Sequence, residues 1–235
     1  MVGVAVTVPG RRRVLPLGVT VSDPHQADQA VPSTPARALA ELLAGNRRFI
    51  GGERIHPHQD VEHRAAVAQG QTPFAVIFGC SDSRLAAEII FDRGLGDLFV
   101  VRTAGHTFGP EVLGSIEYAV ALLDTPLVVV LGHDSCGAVT AAHDTAASGE
   151  TPPGYIGALV EAVLPSVEVA AGRGVHDVNG IVDVHIQCTV ELLLQRSLTL
   201  ADAVAAGRCA VVGMSYQLAA GRVRVVTPVP QDARS

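Results

Sequence analysis

Two runs of apolar, largely β-branched residues each lead directly into a short polar motif. Phe74–Phe78 precedes the sequence Cys-Ser-Asp-Ser-Arg at 80–84, and Leu127–Leu131 precedes Gly-His-Asp-Ser-Cys-Gly at 132–137. Continuous apolar runs of this length are typical of strands buried on both faces of a parallel sheet. Because the carboxyl ends of parallel strands meet at one edge of the sheet, we expect the two motifs to lie side by side there.

Strands and helices are predicted to alternate along the chain. The predicted strands are 74–79, 98–101, 127–131, 210–216 and 222–226. The predicted helices are 34–49, 61–68, 84–91, 111–123, one starting near 137, 155–171, 183–196 and 199–206. The short turn at 219–221 joins the last two strands as a hairpin. We therefore expect an α/β fold with a central, mostly parallel β-sheet, an antiparallel edge strand and flanking helices.

One catalytic domain is predicted to occupy residues 34–230. The chain has 235 residues and is 48% hydrophobic, so it can bury a full core, and no internal linker divides it. Residues 1–33 contain four prolines and show no consistent periodicity, which predicts a disordered N-terminal extension. Residues 231–235 form a short tail.

Composition argues against nucleic-acid and membrane partners. The net charge is −6, and the 17 Lys and Arg residues form no basic stripe. No apolar run approaches the roughly 18 residues that cross a bilayer. Arg11–Arg13 precedes a short apolar segment broken by proline, which is a weak match to a signal peptide. The four cysteines lack the spacing of a disulfide framework. We expect a cytoplasmic protein.

The two motifs together supply a ligand set for one Zn²⁺. Cys80 and Asp82 have the spacing of a turn that leaves a strand. His133 and Cys136 have the spacing of a loop that enters a helix, where one turn places both on the same face. Thiolates, imidazoles and carboxylates are the groups that bind zinc in proteins.

The residues alone leave three kinds of site open. One is a structural zinc site closed by four protein ligands, and another is a nucleophilic pair of Cys80 and His133. The third is a catalytic zinc site, which Arg84 favours. A carboxylate at Asp82 that leaves the metal for a nearby guanidinium opens a coordination position for water.

The paired motifs resemble those of the β-class carbonic anhydrases. The similarity runs from about residue 34 to Val212–Tyr216 and includes Ala87–Asp92, Phe99–Arg102 and Ser115–Val120. The resemblance implies a zinc lyase with one Zn²⁺ per chain that hydrates CO₂ reversibly to bicarbonate and a proton, through hydroxide generated at the metal.

The resemblance also assigns roles to individual residues. Cys80, His133 and Cys136 match the zinc ligands of the family. Asp82 and Arg84 match its catalytic Asp–Arg pair, in which the aspartate can also cap the zinc as a fourth ligand.

A substrate pocket is implied in the same way. The plant-like branch has a glutamine nine residues before the first cysteine, which is Gln71 here, whereas the other branch has a tryptophan where this chain has Ile77. The matching pocket positions are Gln71, Phe99, Ala104, Tyr118 and Gly137. His106 and His143 are candidates for carrying the released proton.

The position of Gln71 implies an oligomer. It lies before the strand at 74–79, whereas the zinc ligands follow that strand, and six strand residues span about 20 Å. The resembling family solves this with a tight dimer, or a tetramer of dimers, in which the glutamine enters the neighbour's site. Helix 34–49 is expected to wrap the partner with its apolar face (Leu39, Leu42, Leu43, Phe49).

Two other functions stay open for such a chain. One is a zinc-stabilised, non-catalytic protein that binds bicarbonate or another small molecule, and the other is a related hydrolase acting on CS₂ or COS. The intact pair of Asp82 and Arg84 favours the anhydrase.

Overall fold

Five strands form a single sheet in a computed structural model that describes residues 31–228. The strands are β1 (Ala75–Cys80), β2 (Leu98–Thr103), β3 (Leu127–His133), β4 (Ala210–Gln217) and β5 (Arg222–Val225), and their order in the sheet is β2-β1-β3-β4-β5. Strands β1 to β4 pair in parallel, and β5 pairs antiparallel to β4. The predicted α/β fold with an antiparallel edge strand is confirmed.

Eight α-helices flank the sheet within the described residues. They are α1 (Pro35–Gly51), α2 (Val61–Ala66), α3 (Ala87–Ile90), α4 (Pro110–Leu122), α5 (Gly137–Ser148), α6 (Tyr155–Gly172), α7 (Val178–Arg196) and α8 (Leu198–Ala205). Two differ from the predicted bounds by three residues or more at one end. Helix α3 is shorter because the chain first makes a turn, in which the Leu85 amide bonds to the Asp82 carbonyl. Helix α7 begins earlier because the Asp177 side chain caps it through the Gly180 amide.

The core lies on both faces of the central strands. Every residue of β1 and of β3 is buried, which explains why their sequences show no alternation of apolar and polar residues. The edge strand β2 is different, because its residues are half-buried or exposed and it pairs only with β1 in the described part of the chain.

Helix α1 packs against its own chain. Its residues Leu39 and Leu42 are buried, and Leu43 and Phe49 are partly buried against the same core. The side chain of Asn46 fastens the helix to the rest of the domain, since it donates to the carbonyls of residues 90 and 221 and accepts from the amide of residue 223. The expectation that this apolar face needs a partner chain is therefore wrong.

Helix α7 lies unusually close to strands β3 and β4. Ile186 sits over Gly132 and Gly213, where an added Cβ would come within 2.6 Å and 2.5 Å of Ile186 atoms. Only glycine permits so close an approach of a helix to a sheet. The neighbouring residue of α7, His185, is thereby brought near the carboxyl edge of the sheet.

The predictions for the chain ends fall outside the described residues, except at 31–33. Within the described part, α6 is long and apolar enough to cross a membrane by length and composition. The expectation that no stretch approached this length is wrong for α6. The helix packs against α5 and α7, and buried helices of folded domains meet the same criterion, so this is weak evidence for a membrane span.

Candidate metal centre

Three potential metal ligands meet at the carboxyl edge of the sheet. Cys80 is the last residue of β1, His133 is the last residue of β3, and Cys136 immediately precedes α5. One ligand atom from each residue lies within 4.8 Å of the other two, and all three residues are buried. Two thiols and one imidazole at this separation suit Zn²⁺, which prefers sulfur and nitrogen ligands in a tetrahedral arrangement.

The imidazole of His133 has one ring nitrogen in a hydrogen bond and the other available as a metal ligand. Its Nδ1 lies 2.8 Å from the carbonyl oxygen of Asp134, and because a carbonyl only accepts, Nδ1 carries the hydrogen. The lone pair is then on Nε2, which is buried and has no hydrogen-bond partner of ordinary geometry among the described residues. A buried acceptor without a donor is costly, and a metal ion would satisfy it. The residues present therefore fit zinc.

The electrostatics of the three groups also fit a cation. A hydrogen bond with Cys136 lowers the pKa of the Cys80 thiol, and the same bond together with burial raises the pKa of Cys136. Burial alone would lower the pKa of His133, but the adjoining Cys80 sulfur raises it. The Cys80 sulfur thus carries negative charge in a buried place, and a divalent cation would neutralise it.

Two further groups hold the first ligand in place. The amide of Gly105 donates to Cys80 Sγ at 3.3 Å. The guanidinium of Arg102 donates to the carbonyl oxygen of Cys80 at 3.0 Å and to that of Asp82 at 2.6 Å. The turn that carries Cys80 and Asp82 is therefore tied to the end of β2.

Asp82 and Arg84 form a bidentate ion pair beside the three ligands. Arg84 Nε and Nη2 donate to Asp82 Oδ1 and Oδ2 at 2.9 Å and 2.8 Å, and the Arg84 amide also donates to Oδ1. These bonds hold the pKa of Asp82 well below its usual range. Asp82 Oδ2 lies 3.9 Å from His133 Nε2. Asp82 is not one of the three clustered ligands, and its capping of the metal stays a prediction.

The predicted pocket residues fall into two groups. Ala104 and Gly137 adjoin the ligands, since Ala104 precedes Gly105 and Gly137 follows Cys136 as the first residue of α5.

The other three pocket positions lie elsewhere. Phe99 pairs with Val76 in the sheet, four positions or about 13 Å before the end of β1. The Phe99 and Tyr118 rings adjoin each other with centroids 6.3 Å apart, and Gln71 is exposed ahead of β1. The structure does not bring these three residues to the ligands of their own chain.

The two histidines considered for proton transfer have different surroundings. His106 is buried, and neither ring nitrogen has a partner among the described residues, so it does not exchange protons directly with solvent. Its role as a carrier of the released proton stays a prediction. His143 is half-buried with Nδ1 3.2 Å from an Asp144 oxygen, and its role stays a prediction.

Sequence reasoning missed several residues that support the centre. Asn179 of α7 accepts from the amide of Ser135 in the loop between His133 and Cys136. Arg102 enters the sequence analysis only as the end of the segment Phe99–Arg102, and His185 reads as an ordinary residue within a helix. A signal for Gly105 is its place directly after the pocket position Ala104, and no comparable signal marks His185.

The chain is similar to known carbonic anhydrases over most of its length. The sequence profile described as carbonic anhydrase matches residues 75–223. Carbonic anhydrase 2 of Mycobacterium tuberculosis is 53% identical over 193 residues, which cover 82% of this chain and 93% of that protein. The carbonic anhydrase of Mycolicibacterium smegmatis is 51% identical, with coverage of 82% and 94%.

Solved structures show the same fold. A tetrameric β-carbonic anhydrase from Sordaria macrospora superposes with a TM-score of 0.65 at 24% identity, covering 82% of this chain and 98% of that one. The β-carbonic anhydrase CafA of Aspergillus fumigatus gives 0.64 at 25% identity, with coverage of 83% and 94%. Sequence matches of this extent reflect common descent, and this chain belongs to the β-class carbonic anhydrase family.

Proposed function

We propose that the protein catalyses the reversible hydration of CO₂ to bicarbonate and a proton, with one Zn²⁺ held by Cys80, His133 and Cys136. The observation that carries this is the free, buried Nε2 of His133 beside two buried sulfurs on a rigid sheet edge. Family membership and the identity to carbonic anhydrase 2 of Mycobacterium tuberculosis support it. Zinc held by these residues would lower the pKa of a coordinated water to about 7.

Asp82 acts as a fixed acceptor at the mouth of the site. Its bonds to Arg84 lower its pKa, so the carboxylate stays ionised and accepts a hydrogen bond instead of donating one. Its Oδ2 faces the region of His133 Nε2, where the attacking water has to be oriented. Arg84 holds the carboxylate in that direction through two parallel bonds.

The start of helix α5 is suited to the charge that develops on the substrate. CO₂ is apolar, and it gains negative charge on oxygen as bicarbonate forms. The helix begins directly after Cys136, so the amide of Gly137 has no partner within the helix. A free amide at a helix N-terminus stabilises negative charge, and Ala104 adds an apolar surface nearby.

The active unit is a homodimer, or a tetramer built from dimers, in which each pocket combines two chains. Three observations support this part of the proposal. Gln71, Phe99 and Tyr118 lie away from the ligands of their own chain. The edge strand β2 is only half-buried, and α2 with the turn that follows it contributes no buried residue. The Sordaria macrospora relatives are described as tetrameric.

The cysteines support a cytoplasmic location. None of the four forms a disulfide, and the half-buried Cys188 lies outside the ligand cluster. Unpaired cysteines are usual where the compartment is reducing. Fractionation of cells with an antibody to the protein would test this, and its recovery outside the cytoplasmic fraction would contradict it.

A stopped-flow CO₂ hydration assay combined with metal analysis tests the activity. We expect one zinc per chain and hydration that disappears when the metal is removed and returns with added Zn²⁺. The named relatives do not favour a bicarbonate-binding protein or a CS₂ or COS hydrolase. Stoichiometric zinc without hydration would favour the binding protein, and hydrolysis of CS₂ in place of CO₂ hydration would favour the hydrolase.

A further inference from the structure

A buried series of hydrogen bonds connects two helices to the sulfur of Cys80. Ser166 of α6 contacts His185 of α7, with Oγ and Nδ1 2.8 Å apart. The Nε2 atom of His185 lies 2.9 Å from the carbonyl oxygen of Gly105. The Gly105 amide then donates to Cys80 Sγ at 3.3 Å. All four residues are buried, so water does not compete for these bonds.

The direction of each bond follows from the groups involved. A carbonyl oxygen only accepts, so the hydrogen on the His185 ring is at Nε2. Nδ1 of the neutral ring is then an acceptor, and the Ser166 hydroxyl donates to it. Burial lowers the pKa of His185, which keeps the ring neutral and the two roles distinct.

Gly105 links the His185 ring to the Cys80 sulfur, because its carbonyl bonds to the ring and its amide bonds to Sγ. Its backbone is left-handed, with φ at 61° and ψ at 23°. An added Cβ would lie 2.7 Å from the Cβ of Ala138 in α5, so this position accepts only glycine without a shift. The φ and ψ angles of Gly105 set the direction of its N–H relative to its C=O. The hydrogen bond from His185 that holds the carbonyl therefore also sets the direction of the amide.

The close packing of α7 on the sheet brings His185 within hydrogen-bond distance of the Gly105 carbonyl. Ile186 rests over Gly132 and Gly213, which sets the short distance between the helix and the sheet. The ring of His106 packs on the His185 ring with centroids 4.4 Å apart. The imidazole of His185 is therefore held in one place from several sides, as a precise hydrogen-bond donor requires.

We propose that His185, supported by Ser166, is a positioning residue of the metal centre that aims the Gly105 amide at the Cys80 thiolate. The inference rests on the zinc site of the proposed function. An amide hydrogen bond draws electron density from a thiolate sulfur and fixes the direction in which that sulfur points. Because the sulfur is held in one direction, the site would release its metal more slowly, and a sulfur with less electron density would leave more positive charge on the metal.

Two substitutions of His185 separate this role from simple packing. His185→Leu removes the donor to the Gly105 carbonyl, whereas His185→Gln keeps a side-chain N–H near the position of Nε2. In the holoenzyme, we expect His185→Leu to release zinc to a chelator about 10–100-fold faster than the parent. In the Co²⁺-substituted enzyme, we expect the sulfur-to-cobalt charge-transfer band of His185→Leu to lie at longer wavelength than that of the parent, because the Cys80 sulfur is richer in electrons. His185→Gln should stay close to the parent in both measurements.

Thr189→Val is the matched control. It removes a buried hydroxyl of the same helix that, among residues 31–228, bonds only to the backbone carbonyl of His185, and it should change neither measurement. The inference is overturned if His185→Leu and His185→Gln behave alike, or if Thr189→Val moves the cobalt band as much as His185→Leu does.

Ser166→Ala keeps the inference testable if His185→Leu does not fold. Loss of the hydroxyl releases the ring from its defined tautomer, so we expect a smaller band shift in the same direction, and an unmoved band would overturn the inference. A parent enzyme that binds no zinc would instead overturn the proposed function. Unchanged variants of a zinc-binding parent overturn only the role of His185.

Discussion

The guanidinium of Arg102 lies 3.0 Å from the carbonyl oxygen of Cys80 and so ties the end of strand β2 to the first metal ligand on β1. A second donor of the same guanidinium reaches the carbonyl of Asp82. One side chain therefore sets the shape of the turn that carries both a ligand and the proposed acceptor of the site.

We expect Arg102→Ala to lower kcat/KM for CO₂ hydration by about 10–100-fold while most of the zinc is retained. The turn loses the hydrogen bonds that support it, but Cys80 and His133 stay at the ends of their strands and Cys136 stays at the start of α5. Arg102→Lys should recover only part of the rate, because one ammonium cannot reproduce the planar fork of a guanidinium. The checks are stopped-flow kinetics and metal analysis, and wild-type rates in Arg102→Ala would contradict the prediction.

Cys136→Ala should lose zinc and hydration together. The substitution removes one of three clustered ligands, and two remaining protein ligands bind Zn²⁺ poorly. Cys188→Ala serves as the control, because that thiol is half-buried in α7 and not part of the cluster. Metal content after dialysis measures the effect, and full zinc occupancy in Cys136→Ala would rule out the ligand assignment.

Arg84→Ala should reduce hydration at neutral pH by at least about 10-fold with zinc still bound, a loss of about 1.4 kcal/mol in transition-state stabilisation. Without its partner, Asp82 is no longer held away from the metal and is expected to occupy the position that water needs. Arg208→Ala is a control, since Arg208 is exposed and far along the chain from the motif. A normal rate in Arg84→Ala would exclude the pair as a functional unit.

Mixed dimers test whether a pocket is built from two chains. Cys80→Ser removes a zinc ligand and Gln71→Ala removes a pocket residue, so each homodimer should be inactive or weak. A mixed dimer has one site with an intact zinc set and an intact glutamine from the neighbour, so part of the activity should return. Sedimentation and subunit exchange verify mixing, and no recovery in exchanged dimers, or a fully active monomer, would defeat the shared pocket.

Protonation of Asp92 should lower the stability of the domain in acid. Burial would raise the pKa of this carboxyl, but a bond from Arg48 at 2.6 Å and amides of residues 55 and 56 outweigh burial and lower it. A lowered pKa gives stability that is present above the unfolded pKa, about 3.9, and is lost as pH falls through the folded pKa.

We therefore expect Asp92→Asn to lower the free energy of unfolding by about 1.5–3 kcal/mol at pH 7, and by progressively less below about pH 4. Asp202→Asn is the control, because that side chain is exposed and makes none of these contacts. Urea unfolding at several pH values measures both variants. A difference between wild type and Asp92→Asn that stays constant from pH 7 to pH 3 would contradict the linkage.

Local patterns in the sequence determined the fold class and the place of the candidate ligands in the fold. Runs such as Leu127–Leu131 are long enough to be recognised as buried strands, and a ligand directly after such a run lies at the sheet edge wherever the strand is placed in the sheet. Helix α1 was also recognisable, because Thr34 caps its start and Gly52 ends it in a left-handed conformation.

Only the tertiary structure decided which groups meet across the domain. The apolar face of α1 looked available for a partner, yet α3 and β5 of the same chain cover it. His185 looked like a routine helix residue, yet the glycines beneath Ile186 bring it to the Gly105 carbonyl. Periodicity shows that a helix has a buried face, but strand order and the distance of closest packing determine what that face contacts. Those contacts join residues that are far apart in the chain, so the local sequence pattern does not predict them.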